Sequence, residues 1–178
     1  MFDYTILPVG KRNCRRVQLG SGANNPADWI NIDYSLSEGA DLAVDLNQPL
    51  PFDDNSIEEF YSHHVLEHFN RPQLTTLLLE IKRCLKPGGK LTSRLPDLEW
   101  AMRQLLELPP GRVADNMLAC IYGANVLGWQ PAIAHTHYCG WTSKTMRLKL
   151  VEVGFRVEKC ESVGPRSEIP VIDFTAIK

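Results

Sequence analysis

Paired cysteines are what this chain most clearly lacks. Cys14, Cys84, Cys120, Cys139 and Cys160 are five in number, scattered, and nowhere spaced as C-x-x-C. That pattern excludes a disulfide framework and a zinc knuckle. It predicts reduced, mostly buried thiols in a cytoplasmic protein. Long hydrophobic runs are missing as well, since none approaches the ~20 residues that cross a bilayer. Met1-Phe2-Asp3-Tyr4 has neither the positive start nor the apolar stretch of a secretory signal. No membrane partner is expected. An excess of either charge is also absent, with 19 Lys+Arg against 21 Asp+Glu and a formal net charge of −2. Such a balance offers no general attraction to a phosphate backbone, so no nucleic acid is expected. The local exception, Lys11, Arg12, Arg15 and Arg16, is read as a solvated approach to the first strand. Repeats and low-complexity segments are wanting, and 178 residues predict one domain, residues 1–178.

What is present is a series of short apolar runs, each closed by a polar or turn-forming residue. Arg16-Val17-Gln18-Leu19 stops at Gly20-Ser21-Gly22. Trp29-Ile30-Asn31-Ile32 ends at Asp33, and Leu42-Ala43-Val44 at Asp45-Leu46. Phe60-Tyr61-Ser62 ends at the histidines, and residues 90–95 at Pro96-Asp97. Ligands gather beyond the carboxyl ends of strands in an open parallel sheet, and this punctuation fits that rule. Residues 156–162 and 169–177 read as two closing strands, the first parallel in type and the last antiparallel.

Leu74, Leu77, Leu78, Ile81 and Leu85 recur three or four apart and predict a helix over residues 72–86. Pro72 sits in its first turn, and Lys86-Pro87-Gly88-Gly89 is read as its stop. Residues 97–108 and 113–126 read as two further helices, separated by Pro109-Pro110-Gly111. A fourth runs from a Thr142 or Ser143 cap to Val153, with Gly154 as its terminator. Only ten residues separate Gly22 from Asp33. A parallel crossover usually takes a dozen or more and holds a helix. The connection from Tyr34 to Ala40 is equally short. The expected fold is therefore α/β: a Rossmann-like three-layer sandwich around a mostly parallel seven-stranded sheet with an antiparallel last strand. Its front-half helices are reduced.

A nucleoside cofactor makes three demands of such a sheet. Its charged tail needs close approach to backbone, hence Gly after the first strand. Its ribose needs a fixed carboxylate at a strand end. Its base needs a partly apolar slot with one polar group. Gly20 and Gly22, Asp33, and Asp45-Leu46 answer these in order. Taken singly, each has a plainer reading as turn or cap chemistry. Three in succession at strand ends are far more specific.

The series resembles the class I S-adenosylmethionine-dependent methyltransferases, and within them the small type 11-like subgroup with a shortened first crossover. The likeness runs through Leu19-Gly20-Ser21-Gly22 and Trp29-Ile30-Asn31-Ile32-Asp33 to Asp45-Leu46. It continues through Pro51-Phe52-Asp53-Asp54-Asn55-Ser56 and Ser62-His63-His64-Val65-Leu66-Glu67-His68, then Lys86-Pro87-Gly88-Gly89 and Pro96-Asp97. Residues 16–100 carry it, with a looser echo at Gly140-Trp141-Thr142 and Val153-Gly154-Phe155. The resemblance implies S-adenosyl-L-methionine as cofactor. Leu19, Gly20, Ser21 and Gly22 would face its methionine end, and Asp33 with Tyr34 its ribose. Asp45 and Leu46 would hold its adenine, and Ser62, His63 and His64 would border the methionine and sulfonium region. The pattern departs from the family at Gln18, where an acidic residue is usual, and at Asn24, where Gly is usual. Asp3, Tyr4 or His63 is the expected compensation at the methionine amine.

Methyl transfer is an in-line displacement, so positioning and a water-poor pocket matter most. A hydroxyl or amine acceptor also loses a proton, and His64, His137, His135 and Asp97 are the candidate bases. The catalytic set is taken as His64, His137 and Asp97. His68 is read as packing or capping a short helix. His135, His137 and Cys139 alternate at two-residue spacing but have no matching second cluster, so no metal is expected. Residues 101–141 are the expected acceptor lid, in which Trp129, Trp141 and Tyr138 are as fit for core as for a pocket wall. The function expected is methyl transfer to a small-molecule or sugar-type acceptor. The alternative is a cofactor-binding regulatory or partner module without turnover. A nicotinamide oxidoreductase ranks last, because Asn25 stands where G-x-G-x-x-G wants its last Gly. A homodimer would cover an incompletely clad sheet face.

Overall fold

Val17 and Leu19 of strand β1 (Arg16–Leu19) and Ile30 and Ile32 of β2 (Ile30–Asp33) are fully buried. Intervening Gln18 and Asn31 are buried as well, so both faces of these strands are covered, as in an interior parallel strand. β1 pairs in parallel with β2 and with β4 (Ile57–His63). β2 pairs in parallel with β3 (Leu42–Ala43), and β4 with β5 (Leu85–Pro96). β7 (Val171–Ile177) runs antiparallel between β5 and β6 (Arg156–Val163), giving the order β3-β2-β1-β4-β5-β7-β6. β6 thus points the same way as the first five strands. The computed structural model describes residues 1–36, 39–109, 111–124, 136–164 and 170–178.

Helix α1 (Arg71–Cys84) begins at a capping box, in which the Asn70 side chain accepts from the Gln73 amide and Gln73 accepts from the Asn70 amide. Its apolar stripe buries Leu74, Leu77, Leu78, Ile81 and Cys84 against the sheet. The helix ends at Cys84, two residues short of the expected stop, because Leu85 already pairs with Ile57 in the ladder. β5 is correspondingly longer than residues 90–95. Gly88 donates to the Lys178 carbonyl, and the Lys178 amide donates to Gly89. A Cβ on Gly89 would lie 2.9 Å from the Lys86 carbonyl oxygen, so this entry into the strand needs glycine.

Arg83, near the end of α1, organises the turn that precedes β4. Its guanidinium donates to Glu80, to Asp54 at 2.7 Å, and to the carbonyls of Phe52 and Leu50 at 3.0 Å each. The Pro51-Phe52-Asp53-Asp54 segment is therefore held as structure. The Arg83 hydrogen bonds keep the Glu80 carboxyl below its ordinary range.

The front half carries no α-helix between β1 and β2, as expected from the short crossover. Two one-turn 3-10 helices, Tyr4–Ile6 and Val9–Lys11, precede β1, and Phe2 packs on Phe52. The basic cluster differs from expectation. Lys11 pairs with Asp41 at 2.7 Å, and both side chains are largely buried. Arg15 lies over the Tyr4 ring, while Arg16 pairs with Asp28 and covers Trp29. These residues tie the N-terminal segment to the sheet and are not a merely solvated approach. Asp3 caps the first 3-10 turn.

Helices α2 (Leu98–Glu107) and α3 (Arg112–Tyr122) pack on each other around Ala101, Met117 and Cys120, a small core apart from the main one. The sequence reading carried α3 to Val126, whose last two positions fall outside the described residues, as do His135 and Trp129. α4 (Ser143–Glu152) starts at Thr142, boxed with Thr145, and buries Met146 and Leu150. All five cysteines are free, with Cys84, Cys120 and Cys160 buried. Among the described residues no helix is long and apolar enough to cross a membrane.

Candidate active site

The loop after β1 is built from two left-handed glycines, Gly20 at φ 57° and Gly22 at φ 51°. Side chains rarely adopt this conformation. Gly20 also faces Val65: a Cβ there would sit 2.6 Å from a Val65 methyl carbon. The Gly22 amide donates to Asp33 Oδ2 at 2.9 Å, and the Tyr34 amide donates to Asp33 Oδ1 at 2.7 Å. One carboxylate therefore closes the glycine loop onto the end of β2. Each of its oxygens keeps a further lone pair for an incoming hydroxyl. Ser21 is buried, and its hydroxyl has no partner among the described residues. These groups fit a nucleoside with a polar tail: open backbone, an orphaned hydroxyl, and a carboxylate with acceptor capacity to spare.

The remaining expected cofactor residues fall around this loop. Leu19 is buried at the end of β1, and its register partner across the ladder is Ser62. The Ser62 hydroxyl is buried and donates to Ser93 at 2.7 Å. His63 is exposed and its ring lies tilted against that of His64, with centroids 4.4 Å apart. Asp45 accepts from the Asn47 amide, which fixes the turn after β3, and Leu46 packs on the main core. The Val44 amide donates to the Asp33 carbonyl at 2.7 Å, bringing the ends of β2 and β3 together. Tyr34 stands 80% exposed. A cleft of about 350 Å³ opens at Asp45, walled by Phe2, Leu42, Val44 and Pro49.

A second group of side chains lies just past β4. His64 takes a left-handed backbone conformation, φ 55°, and its amide donates to the Arg94 carbonyl. Its Nδ1 lies 3.1 Å from Glu67 Oε1. Glu67 is only 2% exposed, and its Oε2 has no partner among the described residues. The Glu67 carbonyl accepts from the amides of Tyr138 and Cys139, joining this turn to the segment before α4. That segment brings His137 in, with Nε2 3.9 Å from Glu67 Oε1 and Nδ1 2.9 Å from the Cys120 carbonyl. Burial pulls the His137 pKa below its ordinary value and pushes the Cys120 thiol up to about 12. His68 packs edge-on to His137, and its Nδ1 lies 2.9 Å from the Thr136 carbonyl.

Asp97 follows β5 and is buried. Its Oδ1 accepts from the amides of Glu99 and Trp100, so it caps α2. Trp141 is core, 1% exposed, and bridges to Asp97, whereas Tyr138 is exposed. The chain thus brings His64 and His137 to one carboxylate, and gives Asp97 a helix to start. Glu67 is the residue that sequence reasoning passed over. Its signal was an acidic side chain set between Leu66 and Phe69, both of which are buried.

Residues 18–93 match the family described as "Methyltransferase domain". No curated protein matches the chain. Among solved structures, an S-adenosylmethionine-dependent methyltransferase from Mesorhizobium loti superposes with a TM-score of 0.62 at 18% identity, covering 98% of this chain and 94% of that one. One from Methanosarcina mazei gives 0.63 at 16%, covering 92% and 91%. The 1,6-didemethyltoxoflavin-N1-methyltransferase of Burkholderia thailandensis, solved with bound 1,6-didemethyltoxoflavin and S-adenosylhomocysteine, gives 0.59 at 14%, covering 98% and 76%. At such identities these likenesses establish the fold. The family match holds Gly20, Asp33, Asp45 and Ser62 but spans less than half of the chain; over that stretch the chain is similar to the S-adenosylmethionine-dependent methyltransferases, whose fold it shares.

Proposed function

We propose that this chain transfers a methyl group from S-adenosylmethionine to a hydroxyl or amine of a small-molecule or sugar-type acceptor. The observation that carries the reading is the closure of the Gly20–Gly22 loop by Asp33, which leaves both carboxylate oxygens able to accept ribose hydroxyls. The bound cofactor supplies an electrophilic methyl group on a sulfonium. Gly20, Ser21 and Gly22 receive its methionine end. Asp45 and Leu46 receive its adenine, with Tyr34 at the ribose rim. Ser62 and His63 border the sulfonium from the next strand.

His64 is the proposed base. A carboxylate can only accept from His64 Nδ1, so that nitrogen carries the hydrogen and Nε2 keeps its lone pair for an acceptor proton. Glu67 is then a positioning residue, fixing the tautomer and the ring. His137 and Asp97 belong to the acceptor side, where His137 backs Glu67 and Asp97 starts α2. Residues 101–141, of which 110 and 125–135 lie outside the described residues, are the proposed acceptor lid of a single domain. The basic residues ahead of β1 are engaged within the chain, which supports a small-molecule acceptor over nucleic acid. Five free thiols support a cytoplasmic setting. A homodimer is the proposed assembly.

Labelled S-adenosylmethionine offered with pools of sugars, phenols and amines tests the reading. Transfer to hydroxyl or amine pools is expected, and His64→Ala should lower kcat while leaving S-adenosylhomocysteine affinity within about twofold. Binding without transfer to any pool would return the chain to the role of a cofactor-binding module.

A further inference from the structure

We propose that Glu67, His68 and His137 form a site for a zinc-like transition-metal dication, which staples the segment before α4 to the turn after β4. One ligand atom from each residue lies within 4.8 Å of the others. A tetrahedral ion at roughly 2.0–2.1 Å from its ligands needs them closer than that. Ligands of such an ion stand roughly 3.4 Å apart, so side-chain rotation must draw the widest pair in by up to about 1.4 Å. From sequence, His135, His137 and Cys139 are the residues with ligand-like spacing, and no metal is expected there. The fold pairs His137 with residues seventy positions earlier.

The hydrogen bonds decide the chemistry. His68 Nδ1 and His137 Nδ1 each sit 2.9 Å from a backbone carbonyl, those of Thr136 and Cys120. A carbonyl cannot donate, so both rings carry their hydrogen on Nδ1 and hold a lone pair at Nε2. That is the arrangement by which outer hydrogen bonds prepare imidazole for a metal. The third member is a carboxylate, which also only accepts. Its Oε1 has the His64 Nδ1 hydrogen, whereas Oε2 is buried with no partner among the described residues. Acceptors therefore outnumber donors around a carboxylate that is itself buried, with His68 and His137 half-buried beside it, a costly state unless something positive enters. A proton on His137 is a poor substitute. His137 Nε2 is 3.9 Å from Glu67 Oε1, beyond hydrogen-bonding range, and such a proton would leave Oε2 unserved. Two imidazoles and one carboxylate suit zinc, cobalt or nickel, and they disfavour magnesium and calcium, which prefer oxygen ligands throughout. The site stands whether or not the methyl acceptor is a sugar.

Tag-free full-length protein, stripped with a chelator, should bind one equivalent of Zn²⁺ by calorimetry and gain several degrees in Tm, reversed by chelator. Co²⁺ in its place should give intense visible ligand-field bands of low coordination number. His68→Gln and His137→Gln should each weaken Zn²⁺ binding at least tenfold, and His63→Gln should not. Where a variant fails to fold by circular dichroism, the wild-type Co²⁺ spectrum decides. Substoichiometric Zn²⁺ uptake, a weak six-coordinate aquo-like Co²⁺ spectrum, or wild-type affinity in both folded ligand variants would overturn the proposal.

Discussion

Gly20→Ala is the most informative single perturbation, because two separable penalties meet at one atom. The backbone at φ 57° charges any L side chain about 1–2 kcal/mol. The new Cβ would also stand 2.6 Å from a Val65 methyl carbon. Carbon pairs prefer about 3.5–4.0 Å, so roughly 1 Å of overlap must be relieved. Forcing such an overlap into a packed region costs about 1–3 kcal/mol. The sum is roughly 2–5 kcal/mol. Val65→Ala alone removes two buried methyl groups and should cost about 2 kcal/mol. In the double variant the overlap disappears while the backbone penalty stays. Val65→Ala should therefore cost almost nothing in the Gly20→Ala background. Urea unfolding of the four proteins in a double-mutant cycle measures this, with S-adenosylhomocysteine titration reporting the loop. Affinity should fall in Gly20→Ala and partly recover in the double variant. Additivity within about 0.5 kcal/mol would refute the claim that Val65 enforces glycine here.

Asp33→Ala should weaken S-adenosylhomocysteine binding by about 10- to 100-fold, since charge-assisted hydrogen bonds contribute roughly 1.5–3 kcal/mol. Equal affinity by calorimetry would remove Asp33 from the site. Arg83→Leu should lower stability by about 2–4 kcal/mol, at about 1 kcal/mol per lost hydrogen bond, as read by thermal or urea unfolding. Because Glu80 is depressed in the folded state, its ionised form contributes stability that is complete above its ordinary 4.5 and lost as pH falls through the folded value. Glu80→Gln should accordingly flatten the acid limb of the stability profile below that pH, and an unchanged limb would refute the coupling. Native thiol titration should find Cys84 and Cys120 unreactive, as burial raises them to about 11 and about 12. Rapid labelling of either would contradict their burial.

Much of the sheet was legible because its strands are short and their ends are chemically marked. Leu19 before Gly20, Ile32 before Asp33 and Ser62 before the histidines are local patterns, and local patterns survive into the fold. The entry into β5 was not legible, because Gly88 and Gly89 pair with Lys178, which is remote in sequence. Asp97 was read for its charge, although a Pro-Asp ahead of a helical stretch equally announces a cap. The basic residues before β1 looked solvated because their partners Asp41 and Tyr4 meet them only once the edge strand is in place. Glu67 and His137 could not be joined from sequence, since the turn after β4 and the segment before α4 meet only in three dimensions.

The short crossover between β1 and β2 has an electrostatic consequence. In a full dinucleotide fold, a helix starts right after the glycine loop and offers roughly half a positive charge to a pyrophosphate. Here that helix is missing, and the loop amide of Gly22 is already taken by an anion belonging to the chain, Asp33. The opening therefore offers a phosphate neither a helix dipole nor a free Gly22 amide. A pyrophosphate placed there would lack both of those stabilising contacts, whereas a ligand with a cationic tail needs neither. What was trimmed from the fold acts as a filter on the charge of its ligand.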